Sequence, residues 1–173
     1  MIKKGLAVLS SSSQSINKAF LRSPAGILAT WFWSGLMPFA PGTWGSLAAV
    51  PFGWGIQYYW GWIGLSVATI LVFIVGVWAS DVFEKKSGVK DPGAVVIDEV
   101  AGQWLVLIPA GLDPLLYLIG FVLFRVADIF KPWPACWADK NIHGGLGIMM
   151  DDVLAAIYGL IAIYFLNIQL NGM

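Results

Sequence analysis

Several acidic side chains of this chain of 173 residues stand inside apolar sequence. Asp98 and Glu99 follow the apolar residues 94–97, and Asp151 and Asp152 stand between two methionines and a long apolar run. An ionised carboxylate is costly to bury unless it is paired or binds a cation. These two pairs are therefore the first candidates for a catalytic or metal-binding site.

Each pair also has a structural explanation, because acids are preferred in the first turn of a helix and an Asp can cap its N-terminus. Asp98 and Glu99 are predicted to begin a buried helix, where they would repel each other unless a shared divalent cation reversed that penalty. At Asp151 and Asp152, an N-cap explains one acid and leaves the second without a role. The glycine-rich residues 144–147 before this pair would allow the backbone to approach a ligand.

Arg125, Asp128 and Lys131 are spaced three residues apart. If they lie on one helix, the two cations flank Asp128 on one face, and the helix ends at Pro132. This spacing fits an intrahelical ion pair at a membrane border. It equally fits a site in which Asp128 binds a metal ion and the two bases bind phosphate oxygens.

Two further segments offer groups for binding or for proton transfer. Thr43 and Ser46 belong to a Pro-Gly-Thr-Trp-Gly-Ser segment that begins the first apolar helix, where backbone N–H groups and hydroxyls suit a phosphate or a lipid headgroup. The same pattern fits a turn with a Ser or Thr cap. His143 is the single histidine of the chain, and it is a candidate for proton transfer or for hydrogen bonding within its loop.

The composition and the motifs exclude several kinds of chemistry. With one cysteine and one histidine, the chain has no Cys/His cluster for zinc, and it has no Gly-x-Ser-x-Gly elbow. Cys136 is not followed by an arginine in the position of a cysteine-phosphatase loop, because Ile142 stands there. Ten basic residues balance ten acidic ones, so no nucleic acid partner is expected. Carboxylates and water remain as ligands, and they suit Mg²⁺.

The elements that position these residues are predicted to be membrane helices. Hydrophobic residues make up 58% of the chain and charged residues 12%, and no charge occurs over 23–80 or 153–173. A helix needs about 20 apolar residues to cross a bilayer. The clearest span is 61–79, which has tryptophans near both ends as interfacial aromatic belts do.

Other apolar segments add to this span. A kinked helix is expected before it and an apolar helix at the end of the chain, and two shorter pieces form either tilted half-spans or a re-entrant hairpin. Four and five crossings are the alternatives. The segments are 46–59, 153–168, 100–111 and 115–126. The predicted fold class is all-α, a polytopic membrane helical bundle in which cytoplasmic-side loops carry the site.

Basic residues gather in cytoplasmic loops, and here they fall at 3–22, 85–90 and 125–140. All three groups lie on the cytoplasmic side if the spans pair into two hairpins. Residues 1–23 are then a cytoplasmic N-terminal segment, which lacks the pattern of a cleavable export signal. Residues 24–173 form a single membrane domain.

Several motifs occur in a fixed order along the chain. They are Gly35-Leu36-Met37-Pro38 through Ala40-Pro41-Gly42-Thr43-Trp44-Gly45-Ser46-Leu47, Val96-Ile97-Asp98-Glu99, Phe124-Arg125 with Asp128 and Lys131-Pro132-Trp133-Pro134, and His143-Gly144-Gly145 with Gly147-Ile148-Met149 and Asp151-Asp152. Together they resemble the phosphatidylglycerophosphatase A family over about residues 27–165. The resemblance implies a mostly helical, Mg²⁺-dependent enzyme of the bacterial inner membrane that converts phosphatidylglycerophosphate to phosphatidylglycerol.

The resemblance also marks five acids as motif residues, and on this basis we hypothesise roles for the candidate residues. The motif acids would hold one or two Mg²⁺ ions at the cytoplasmic membrane surface, basic side chains would steady the developing charge, and the substrate would be a phospholipid in the bilayer. The acids are Asp98, Glu99, Asp128, Asp151 and Asp152, with His143 as a further catalytic candidate; the substrate-binding candidates are Thr43, Ser46, Arg125, Lys131 and Lys140.

Two alternatives stay open at this point. The nucleophile is either water or a carboxylate that forms an aspartyl-phosphate. The competing class of function is a non-enzymatic transporter or assembly protein whose buried acids carry ions. The oligomeric state is not predicted by the sequence.

Overall fold

The computed structural model describes residues 18–172, and within this range the secondary structure is helical with no strand. Residues 1–17 of the predicted N-terminal segment lie outside the described residues. The helices are α1 (Lys18–Leu21), α2 (Pro24–Ala29), α3 (Pro41–Ser87), α4 (Ile97–Leu107), α5 (Pro114–Phe130), α6 (Ala135–Asn141) and α7 (Gly144–Asn171). The all-α fold class is confirmed for the described part of the chain.

The longest helix, α3, is a hairpin that reverses at Gly61. This residue has φ 63° and ψ −166°, a conformation that glycine adopts far more readily than residues with a side chain. Both arms of the hairpin return to the same end of α4, because Gly42 of the first arm lies against Glu99 and Gly76 of the second lies against Ile97. The predicted hairpin is therefore present, and its two arms extend from Pro41 to Ser87.

Close contacts hold the first arm of α3 against α4. A Cβ atom at Gly45 would lie 2.6 Å from Cβ of Val96, so a side chain at this position would separate the two elements. Further along, the Trp104 indole N–H donates a hydrogen bond of 2.8 Å to the Ala49 carbonyl. These contacts fix the start of α4 beside the start of α3.

The last helix, α7, begins at Gly144 with His143 at the N-cap position. The prediction that Asp151 or Asp152 introduces or caps this helix is wrong, since both acids lie about two turns inside it. A Cβ atom at Gly145 would lie 1.9 Å from a carbonyl oxygen of α3, so this glycine lets the start of α7 pack directly on the α3 backbone. The glycine-rich start thus serves helix packing, and α7 carries both acids into the bundle.

Within residues 18–172, two helices are long and apolar enough to cross a membrane, Pro41–Ser87 and Gly144–Leu170. Only 28% of the apolar window of each is buried, whereas the core helix of a soluble protein is mostly buried. Near the reversal of α3, Tyr59, Trp60 and Trp62 are all exposed. Large exposed apolar surfaces and interfacial aromatic side chains are typical of membrane contact. The fold is therefore that of a membrane-associated helical protein.

Candidate active site

All five acidic residues singled out from the sequence line one cavity of about 270 Å³. Its walls come from the start of α3, the loop before α4, the first turn of α4, the end of α5 and the interior of α7. The lining residues are Ala40, Pro41, Gly42, Asp91, Gly93, Val95, Asp98, Glu99, Arg125, Asp128, Lys131, Asp151 and Asp152. We call this space the acidic cavity.

Three of these acids form a compact group that we call the carboxylate trio. Asp98, Glu99 and Asp152 each offer an oxygen, and the three oxygens lie within 4.8 Å of one another. Each of the three residues also has a buried side-chain oxygen without a hydrogen-bond partner. Buried oxygens of this kind are normally satisfied by a donor or a cation. The donor set fits a hard divalent ion such as Mg²⁺.

Burial favours the protonated forms of the two acids at the start of α4. It raises the pKa of Asp98 well above its ordinary value, and the neighbouring Glu99 adds to the effect. Burial also raises the pKa of Glu99 to about 8, with the charges of Asp152 and Asp128 acting in the same direction. A divalent cation between these oxygens would oppose both causes by stabilising the ionised carboxylates.

Arg125 is a basic side chain that contacts the carboxylate trio through Glu99. Its Nη1 atom lies 2.8 Å from Asp128 and 3.9 Å from Glu99, and it donates a hydrogen bond of 3.2 Å to the Ser46 hydroxyl. Asp128 and Arg125 thus form the predicted ion pair on α5. The pair lines the acidic cavity, and its guanidinium is directed by three partners from three different helices.

The start of α3 forms one wall of the cavity. A Cβ atom at Gly42 would lie 2.1 Å from Oε1 of Glu99 and 3.1 Å from Nη2 of Arg125, so only a residue without a side chain fits there unchanged. Ser46 is fully buried, donates to the Gly42 carbonyl and accepts from Arg125, which makes it a positioning residue. Thr43 lies one residue beyond the wall and does not line the acidic cavity.

Lys131 departs from its predicted position. It adopts a left-handed conformation, with φ 42°, as the cap after α5, and so it does not flank Asp128 on the helix. Its ammonium instead binds Asp151 and, at 3.0 Å, Asp139. Burial lowers the pKa of Lys131, but these two carboxylates outweigh that effect and the net pKa is raised. Asp151 is consequently paired with Lys131 and is not a member of the carboxylate trio.

Lys140 and His143 lie outside the acidic cavity. They line an adjoining cavity of about 410 Å³, the outer cavity, which is formed by the end of α3, the loop after it, α6 and the start of α7. Both cavities have Asp91 and Asp151 in their walls. The structure therefore brings the predicted acids, Arg125 and Lys131 together in the acidic cavity, whereas Lys140 and His143 share only the outer cavity with Asp151.

Asp91 is a cavity residue that the sequence did not reveal. Its Asp-Pro-Gly context is typical of a turn and gives no reason to place Asp91 in a site. The turn is present, and it lies at the boundary between the two cavities. The feature of the sequence that could have indicated a site role is that Asp91 lies in the short connection that leads into Asp98.

The sequence of this chain matches a known protein family. The family model described as phosphatidylglycerophosphatase A matches residues 27–167. The chain belongs to the phosphatidylglycerophosphatase A family. The part matched to the phosphatidylglycerophosphatase A model contains every residue that lines the acidic cavity, from Ala40 to Asp152.

Two similar proteins have names that agree with the assignment to the phosphatidylglycerophosphatase A family. A protein of Escherichia coli (strain K12) named phosphatidylglycerophosphatase A is 40% identical over 85% of this chain and 86% of its own length. A Haemophilus influenzae protein of the same name is 40% identical over 86% of this chain and 92% of its own length. A Bacteroides thetaiotaomicron protein, 37% identical over 79% of this chain and 89% of its own, is named provisionally as a phosphatidylinositol-3-phosphatase. No solved structure matches the chain.

Proposed function

We propose that this protein is a lipid phosphatase that hydrolyses phosphatidylglycerophosphate to phosphatidylglycerol and inorganic phosphate. The Escherichia coli and Haemophilus influenzae relatives are named for this activity. The observation that carries the proposal in the structure is the carboxylate trio, with oxygens within 4.8 Å of one another beside the Arg125 guanidinium. Phosphatase names among the relatives also disfavour the non-enzymatic alternative.

In this proposal, Asp98, Glu99 and Asp152 hold Mg²⁺. Each of the three has an unpartnered buried oxygen, which supports this assignment. Among the described residues, neither Asp98 nor Asp152 forms an ion pair, and Glu99 lies 3.9 Å from Arg125. When bound there, Mg²⁺ supplies Lewis-acid chemistry that polarises a phosphoryl oxygen and makes a water more acidic. The nucleophile in the proposal is water.

The other cavity residues orient and balance this trio. Arg125 stabilises negative charge on the phosphoryl oxygens, because its guanidinium lines the same cavity and is only 14% exposed in its side chain. Asp128 and Ser46 hold the guanidinium in place. Lys131 is engaged with two carboxylates, and we propose that it orients Asp151 rather than binding phosphate.

We also propose that the protein is a multi-pass protein of the inner membrane, with the acidic cavity on the cytoplasmic side. The two arms of α3, α5 and α7 would cross the bilayer, and α4, with 11 residues, would enter it without crossing. Phe130 and Trp133 are 79% and 73% exposed on either side of Lys131. Such side chains suit the membrane interface, so the acyl chains of the substrate would stay in the bilayer while the headgroup enters the cavity.

The proposal is tested with the purified full-length protein in mixed micelles. Phosphate release is measured from phosphatidylglycerophosphate, phosphatidic acid and phosphatidylinositol 3-phosphate, with Mg²⁺ and with excess chelator. We expect Mg²⁺-dependent release that is fastest from phosphatidylglycerophosphate and is abolished by chelation. Faster release from either other lipid would overturn the substrate assignment, and release that is unaffected by chelation would overturn the metal assignment.

A further inference from the structure

Asp91 differs from the other carboxylates of the acidic cavity because it belongs neither to the trio nor to an ion pair. Asp98, Glu99 and Asp152 form the trio, while the remaining two acids pair with Arg125 and Lys131. Asp91 is exposed, and within residues 18–172 it has no recorded hydrogen bond or ion pair. It is thus the cavity carboxylate that remains free to interact with water.

The position of Asp91 suits an exchange between the cavity and the solvent. Asp91 lies in the walls of both the acidic and the outer cavity. It lines the acidic cavity together with Asp98, yet it is not one of the residues whose oxygens meet in the trio. A water between the trio and Asp91 would therefore have a carboxylate acceptor on its solvent side.

We propose that Asp91 is the general base that takes the proton from the attacking water, an inference that rests on the phosphatase function proposed above. The water oxygen forms the new bond to phosphorus, and one of its protons passes to the Asp91 carboxylate. The bond between phosphorus and the glycerol oxygen breaks, and its electron pair goes to that oxygen, which takes a proton from solvent. Asp91 then releases its proton to solvent, which leaves hydrogen phosphate and the alcohol.

The backbone of Asp91 allows this inference to be tested without disturbing the loop. Asp91 has φ 47°, in the left-handed region, where glycine and asparagine are the residues most readily accommodated. Asp91→Asn keeps the shape of the side chain and removes the base. Asp91→Gly removes the side chain and leaves space for a small carboxylate such as formate.

A matched control is available in Glu84. This acid lines the outer cavity and not the acidic cavity, so Glu84→Gln removes one carboxylate from the shared surroundings without touching the proposed site. The three variants and the wild-type protein are compared in phosphate release from phosphatidylglycerophosphate, with and without formate. Mg²⁺ binding is measured separately by calorimetry, so that one readout does not depend on activity.

We expect both Asp91 variants to lose about 10²–10⁴-fold in kcat, which is the usual contribution of a general base. Mg²⁺ affinity should stay at the wild-type value, formate should raise the kcat of Asp91→Gly and not of Glu84→Gln, and Glu84→Gln should match the wild type. An Asp91→Asn protein with wild-type kcat would overturn the inference. Weakened Mg²⁺ binding in both Asp91 variants, without rescue by formate, would also overturn it and would make Asp91 a metal ligand.

Failure of this inference is distinguishable from failure of the proposed function. If the wild-type protein releases no phosphate from phosphatidylglycerophosphate, the phosphatase function is wrong and the inference falls with it. If the wild-type protein is active and the Asp91 variants are equally active, the phosphatase function stands and the role of Asp91 is wrong.

Discussion

A methyl group at Gly42 should separate activity from stability. In Gly42→Ala, the new Cβ atom would lie 2.1 Å from Oε1 of Glu99, so the carboxylate must move by about 1.3 Å to reach the 3.4 Å at which ordinary contact begins. A misplacement of about 1 Å in a catalytic site can reduce the rate about 100-fold. The atoms that the new Cβ meets are the ends of the Glu99 and Arg125 side chains rather than backbone, so the clash can be relieved without moving a helix. The variant should therefore be about as stable as the wild type and much less active.

The assay combines phosphate release, Mg²⁺ calorimetry and thermal unfolding of the detergent-solubilised protein. Gly55→Ala is the matched control, because it lies in the same arm of α3 and a Cβ atom there would meet nothing within 4 Å. We expect Gly55→Ala to keep full activity and Gly42→Ala to lose about 100-fold in kcat with weakened Mg²⁺ binding. Wild-type kcat and Mg²⁺ affinity in Gly42→Ala would refute the close approach of α3 to Glu99 as a determinant of the site.

Asp152→Asn should weaken Mg²⁺ binding in calorimetry by more than the roughly 10–100-fold typical of an outer partner, whereas Asp151→Asn, which loses only its pairing with Lys131, should weaken it less. The reverse order would contradict the assignment of the trio. Arg125→Lys should lower kcat about 10²–10³-fold and leave Mg²⁺ affinity intact, because lysine cannot reproduce the contacts of the guanidinium to three partners. Undiminished kcat would argue against its contact with the phosphoryl group. Gly145→Ala should lower the free energy of unfolding by about 1–3 kcal/mol, since its Cβ would lie 1.9 Å from a backbone oxygen; an unchanged unfolding temperature would contradict the packing of α7 on α3.

Much of the acidic cavity could be predicted from residue types alone. Acids embedded in apolar sequence are costly without a partner, and Asp98, Glu99, Asp128, Asp151 and Asp152 all reach the cavity. The sequence could not divide them into roles. Adjacent residues of a helix differ in direction by about 100°, so the pairing of Asp151 with Lys131 and of Asp152 with the trio depends on how α7 is rotated against its neighbours.

Backbone conformation explains the positions of Lys131 and Asp91, which the sequence did not predict. Lys131 was expected to continue the spacing of α5, but the helix ends at Phe130 and a left-handed cap turns its side chain toward Asp139 and Asp151. The Asp-Pro-Gly sequence at Asp91 is typical of a turn, and this turn places Asp91 at the boundary between the two cavities. Helical spacing predicts neighbours only while the helix continues, and turn motifs give a local shape without its surroundings.

The reversal of α3 at Gly61 has a consequence for biosynthesis. Because both arms return to one end of α4, the cavity draws on residues from Ala40 to Asp152, far apart in the order in which a ribosome makes them. Asp98 and Glu99 are made long before Asp152, so a nascent chain holds two of the three carboxylates of the trio until α7 is complete. Chains that stop short of Asp152 should insert their hairpin and remain catalytically silent.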